Sequence, residues 1–173
     1  MTGAWRRLAR PWLVQGVLAA TLFLAIGAWQ TRHVPSGPAP DFEAPATDGR
    51  RLRLSDWRAD QQGRPVLIYF WAEWCPICRA VAVSVDDLDE AWPVLTVAMQ
   101  SGSPAHVAGA LGGRTRRWTT VVDPEGAIAR QYGFSGVPAY VIVDAGGRIR
   151  YSGLGLFSGP LVNLRLWWLT RFG

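Results

Sequence analysis

Lysine is absent from this 173-residue chain, and all 18 basic residues other than histidine are arginine. The pattern reads as a coding bias rather than a phosphate-binding design. The cluster Arg114, Arg116 and Arg117 has no nucleic-acid motif around it and reads as a solvated loop. From His33 onward 14 arginines face 13 acidic residues, so the main domain is near neutral and no nucleic-acid partner is expected. Cysteine and histidine are equally scarce, with two of each. A structural zinc site needs four ligands. Cys75, Cys78, His33 and His106 show no second ligand pair at zinc spacing, so no metal and no cofactor is expected. No strand–turn–helix nucleophile elbow surrounds Ser101 or Ser103, so their proximity to His106 does not indicate a hydrolase.

Both cysteines stand two residues apart at the end of the apolar run Val66-Leu67-Ile68-Tyr69-Phe70-Trp71, and an Ala/Val-rich stretch with helical character follows. A Cys-x-x-Cys at a strand-to-helix junction is the pattern of a redox dithiol. The junction places Cys75 at a helix N-terminus, where free N–H groups and the helix dipole favour a thiolate. Cys78 falls about one turn further along the same face, as a resolving partner should. A purely structural disulfide is the rival, but so short a loop restricts the unfolded chain little.

Trp12 to Trp29 carries no charge. As a helix it would span about 27 Å, close to the roughly 30 Å hydrocarbon core of a bilayer, with tryptophan at both ends. Arg6, Arg7 and Arg10 precede it and Arg32 follows, which predicts a cytoplasmic N-terminus by the positive-inside rule. A cleaved signal peptide is the rival, but the apolar core exceeds the usual length and Ala25-Ile26-Gly27 is a weak cleavage site. Four prolines between residues 31 and 46 predict a semi-extended tether. The expected organisation is a cytoplasmic 1–11, a transmembrane 12–30, a tether over 31–46 and one domain over 47–173.

Within that domain, Arg51–Leu54 alternates as a half-buried strand, and Ser55-Asp56 is placed to cap a short helical turn holding Trp57. The unalternating run to Trp71 suits a central strand covered on both faces. The dithiol helix is expected over 75–90, with Asp86, Asp87, Asp89 and Glu90 as a wet face. A strand follows over 94–98. Ser103-Pro104 opens a short helix through His106 to about Leu111. Strands over 119–122 and 139–143, a short helix over 127–132 and a hairpin at 144–147 come next. Arg148–Tyr151 is expected as an edge strand, and 161–169 as an amphipathic helix whose apolar stripe packs on the sheet, with Trp167 and Trp168 as candidates for touching a membrane. Pro138, next to a strong strand, predicts a special turn with a cis Val137–Pro138 bond. The fold class is α/β, a mixed central sheet with helices on both faces, preceded by one transmembrane helix.

Phe70-Trp71-Ala72-Glu73-Trp74-Cys75-Pro76-Ile77-Cys78-Arg79 and Gly136-Val137-Pro138 resemble the active-site and cis-proline motifs of the thioredoxin superfamily. Pro40-Asp41-Phe42, Asp48-Gly49-Arg50 and Leu54-Ser55-Asp56 resemble the opening of its membrane-anchored TlpA/ResA/DsbE branch. The Val97–Gly102 and Leu164–Trp168 stretches look closer still to the ScsD type, linked to suppression of copper sensitivity. The resemblance implies a thioredoxin-like fold and a monomeric periplasmic thiol–disulfide oxidoreductase. Its partners would be a protein thiol or disulfide substrate and a membrane electron donor such as a DsbD-like reductase. It implies Cys75 as nucleophile, Cys78 as resolver, and Trp74, Pro76, Ile77, Val137 and Pro138 as the substrate-binding surface.

The chain departs from the pattern twice. Thioredoxins carry a buried Asp where Tyr69 stands, and ResA-like proteins a Glu where Val81 stands; either would serve as a proton relay to the resolving thiol. Pro76-Ile77 lacks a histidine that would make the disulfide strongly oxidising, and the resemblance implies a protein kept reduced by a membrane electron donor, which favours the reducing direction. A Sco-like copper module is the alternative, but its cysteines are spaced by three and its histidine is differently placed. The peroxiredoxin pattern needs Thr or Ser three residues before the cysteine, where Ala72 stands.

Overall fold

The structure is a computed structural model that describes residues 12, 14–22, 25–27, 32–112 and 118–173. It contains two compact units, residues 1–32 and 33–173. In the first, residues 14–22 and 25–27 are helical. Thr21 meets its hydrogen-bonding need within the helix by donating its hydroxyl to the Val17 carbonyl at 2.8 Å. Among the described residues no helix is long and apolar enough to cross a membrane. Parts of the expected 12–30 span lie outside the described residues, as do Arg6, Arg7, Arg10 and the Arg114–Arg117 cluster.

The second unit is built on a six-stranded mixed sheet. Its strands are β1 (Gly37–Pro38), β4 (Val66–Trp71), β5 (Val94–Met99), β6 (Thr119–Asp123), β7 (Ala139–Val143) and β8 (Arg148–Leu154), in the order β1-β8-β7-β4-β5-β6. β4, β5 and β6 are parallel, and β7, β8 and β1 join antiparallel. A separate hairpin pairs β2 (Glu43–Pro45) with β3 (Arg51–Arg53). Among the described residues five helices complete the unit: α1 (Leu54–Ala59), α2 (Pro76–Ala91), α3 (Pro104–Gly112), α4 (Ala127–Gln131) and α5 (Gly159–Phe172).

Every residue of β4 and β5 is buried, so their lack of alternation has a direct cause: both faces are covered. Leu67, Tyr69 and Trp71 point to one side, into a core shared with α2, α3 and α5. Val66, Ile68 and Phe70 point to the other, against Leu54, Phe42, Tyr132 and Phe134. The final helix contributes Val162 and Leu166 to the first core and also packs on α2. Its stripe therefore meets a helix as well as the sheet. Gly159 allows that approach, since a Cβ there would stand 3.1 Å from the Ser84 Cβ. Leu164, Trp167, Trp168 and Phe172 remain exposed.

Three expectations are revised. Residues from His33 on belong to the domain and are not a free tether: Gly37 and Pro38 pair with β8, and Phe42, Ala44 and Ala46 are buried. The cap of α1 comes from further away than Ser55-Asp56. The Asp41 carboxylate accepts from the Ser55 N–H at 2.9 Å and from its hydroxyl at 3.1 Å. β8 is not the edge, because β1 covers its outer side. The helices at 76–91, 104–112 and 159–172 and the cis Val137–Pro138 bond agree with the sequence reading.

The hairpin between β7 and β8 turns on Asp144, which is almost fully buried. Burial pushes its pKa up, but the Arg148 N–H at 2.8 Å, the Arg150 guanidinium at 2.5 Å and the Gly146 N–H outweigh that and hold it below the usual carboxylate range. A carboxylate with a depressed folded pKa stabilises above its unfolded pKa of about 3.9, and the contribution is lost as pH falls through the folded value. Asp144→Asn is therefore expected to cost about 1.5–3 kcal/mol at pH 7. In urea melts across a pH series, its deficit against wild type should shrink as the medium falls below about pH 4.

Candidate active site

β4 delivers the chain to the dithiol. Trp71 is its last residue, a tight turn closes with the Cys75 N–H donating to the Ala72 carbonyl at 3.2 Å, and α2 begins at Pro76. Proline at the first helical position loses no hydrogen bond and brings a suitable φ. Cys75 is the N-cap, in extended conformation (φ −88°, ψ 110°), and the Cys78 N–H donates to its sulfur at 3.1 Å. Cys75 and Cys78 form a disulfide. Only 4% and 3% of these residues are exposed, while Trp74 and Ile77 are 56% and 48% exposed. The reactive bond is thus sunk in a collar of apolar surface.

β7 pairs with β4 in a register that puts Ala139 opposite Phe70. Val137 and Pro138, immediately before β7, are carried to the cysteines. The Val137 carbonyl oxygen lies 3.8 Å from the Cys75 sulfur, and Pro138 is buried. The sequence-predicted residues Trp74, Cys75, Pro76, Ile77, Cys78, Val137 and Pro138 therefore come from two chain segments, 74–78 and 137–138, that meet at this end of the sheet.

On reduction the geometry has a definite electrostatic consequence. A Cys75 thiolate would accept from the Cys78 N–H at the head of a 16-residue helix. The Val137 oxygen opposes the anion, but at 3.8 Å against 3.1 Å the charge-assisted N–H contact is the stronger influence. The arrangement can hold an anionic sulfur beside a second sulfur one turn away, which is what disulfide exchange requires.

The site has supports that the sequence reading missed. The Trp74 indole N–H donates to the Gln100 carbonyl at 3.0 Å, and the Glu73 N–H donates to Ser101 Oγ at 3.0 Å. Buried Ser101 in turn donates to the Met99 carbonyl at 3.0 Å. Parallel β4 and β5 end side by side, so the loop after β5 meets the turn after β4, and that parallel pairing was the available signal. His106 is an exposed residue of α3, and its Nε2 lies 3.7 Å from Glu73 Oε2 in the dithiol turn. Among the described residues no three His, Cys, Asp or Glu side chains gather to hold a metal, so the copper alternative has no ligand set there. Tyr69 and Val81 are buried packing residues. Ala72 is buried three residues before Cys75 and offers no hydroxyl.

Residues 35–152 match the AhpC/TSA family. A thioredoxin-like protein of Haemophilus influenzae is 33% identical over 113 residues, covering 65% of this chain and 67% of its own. The thiol:disulfide interchange protein DsbE of Escherichia coli is 28% identical over 174 residues, covering 84% of this chain and 85% of its own. Among solved structures, the exposed lipoprotein thioredoxin of Streptococcus pneumoniae superposes with a TM-score of 0.63 at 28% identity, covering 73% of this chain and 98% of its own.

Ser101→Ala would leave the Glu73 N–H and the Met99 carbonyl without their shared partner, at a cost of about 1–3 kcal/mol. Denaturant melts of the oxidised protein measure that cost. Alkylation of the reduced variant should also show a less uniform Cys75, because the turn that presents it is loosened.

Proposed function

The chain belongs to the AhpC/TSA family, is thioredoxin-like in fold and is a thiol–disulfide oxidoreductase; we propose that it works as a membrane-tethered periplasmic reductase of protein disulfides. The observation that carries this reading is the Cys75 sulfur at the N-cap of α2, bonded to the Cys78 N–H and joined to its partner sulfur one turn on.

In the forward cycle the reduced Cys75 thiolate attacks one sulfur of a substrate disulfide. A Cys75–substrate bond forms, the substrate bond breaks, and the first substrate thiolate leaves and takes a proton from solvent. Cys78 then loses its proton and attacks the Cys75 sulfur, so the Cys75–Cys78 bond forms, the Cys75–substrate bond breaks, and the second substrate sulfur leaves as a thiolate that takes a proton from solvent. Two electrons have moved from the dithiol to the substrate, and the protein is left in the disulfide state seen in the structure. Trp74 and Ile77 supply the exposed apolar collar for an incoming chain. The backbone of Val137, whose oxygen lies beside Cys75, would pair with a substrate strand, and buried Pro138 follows it.

Tethering rests on the uncharged 12–29 segment and on the arginines before it, which by the positive-inside rule put the catalytic domain on the periplasmic side of the inner membrane. A membrane reductase of the DsbD kind would restore the dithiol. The ScsD-type reading adds a link to copper tolerance. The reducing direction is favoured because Pro76-Ile77 supplies no cation to stabilise the reduced form unusually strongly.

Cys78→Ser should trap substrates on Cys75 as mixed disulfides that dithiothreitol releases, identified by mass spectrometry of the captured chain. Absence of any Cys75-linked protein from periplasmic extracts counts against the reading. Equilibration of the full chain in glutathione buffers should give a potential nearer that of thioredoxin, about −270 mV, than that of DsbA, about −120 mV. With Tyr69 and Val81 where carboxylates stand in related proteins, insulin reduction should be slower than by thioredoxin.

A further inference from the structure

A cavity of about 150 Å³ opens beside Cys78, with Tyr69, Trp71, Glu73, Arg79 and Trp118 among its walls. It has room for several water molecules at about 30 Å³ each, and Glu73 and Arg79 stand among its largely apolar walls. The Trp71 indole N–H is buried and has no hydrogen-bond partner among the described residues, a donor that water in this space would satisfy. Cys78 is otherwise enclosed, at 3% exposure, so a proton leaving its thiol needs a conducted route. Glu73 is the carboxylate on the cavity wall, and its Oε2 is 3.7 Å from His106 Nε2 on α3. Both side chains are substantially exposed, and an ion pair so open to solvent adds little to folding. Its position matters more than its strength, because Glu73 lines the cavity and is also open to solvent.

We propose that Glu73 and His106 form the proton exit for the resolving cysteine: cavity water takes the Cys78 proton, Glu73 relays it, and the His106 imidazole holds it until solvent removes it. The proposal rests on the exchange function above and supplies its second step. The Cys78 S–H bond breaks, an imidazole N–H forms, and the freed thiolate attacks the Cys75 sulfur, so the Cys75–Cys78 bond forms and the substrate sulfur leaves as a thiolate that solvent protonates. The charged and titratable groups facing this route are Arg79 from α2, which favours the thiolate, the Tyr69 phenol from β4, and Glu73 and His106 themselves.

The test uses the reduced full chain and dithiobis-nitrobenzoate, whose coloured thiol is released once when Cys75 attacks and again when Cys78 resolves. Glu73→Gln and His106→Gln should leave the first release unchanged and slow the second by at least about tenfold at pH 7. His106→Gln should also change the pH dependence of the second release, and Glu73→Asp should retain most of the wild-type rate. Ala110→Phe, a change at an exposed residue on the cavity wall, should slow the second release while leaving both acceptor groups in place. Second-phase rates and pH profiles equal to wild type in both Gln variants would overturn the proposal alone. Equal slowing of both phases would overturn it in favour of a structural role. Failure of wild type to release even the first thiol would overturn the exchange reading and this proposal with it.

Discussion

The hydrogen bond from the Cys78 N–H to the Cys75 sulfur is the contact on which the chemistry depends. It exists because Cys75 is the N-cap of α2 and Pro76 starts the helix without sacrificing a donor. A side-chain sulfur does the capping here, so the need of a helix end for acceptors and, on the proposed reading, the need of a nucleophile for negative charge are met by one geometry. The same first turn brings Cys78 into bonding reach.

The sheet serves that geometry. β4 is buried on both faces and paired on both edges, by β5 and β7, so the turn that leaves it starts from a rigid point. From one side β7 brings Val137 and Pro138, and from the other the loop after β5 brings Gln100 and Ser101. The cysteines are positioned by three chain segments that are adjacent only because of strand order. On the proposed reading the exposed Trp74 and Ile77 are where a substrate chain settles, and the buried sulfurs below react only with a chain that has done so.

Much of this was legible in the residues. The uninterrupted Val66–Trp71 run, the Cys-x-x-Cys beside it and Pro138 before a strong strand each carry a local signal with a single mechanical meaning, and each agrees with the structure. The opening segment misled because proline content speaks to stiffness and not to packing. Phe42, Ala44 and Ala46 face the core once β2 and β3 pair, and no pattern in three-residue strands could reveal it. The Asp41 cap of Ser55 and the Ser101 support of Glu73 span 14 and 28 residues, so they follow from tertiary placement. Glu73 and His106 meet for the same reason, because the β4–β5 pairing brings together residues far apart in sequence.

The most direct measurement is the acidity of Cys75 in the reduced full chain, read from its alkylation rate across a pH series with Cys78 replaced by serine. The account predicts a thiolate that persists well below the pH of about 8.5 at which free cysteine titrates. A Cys75 that titrates at or above that value would contradict it.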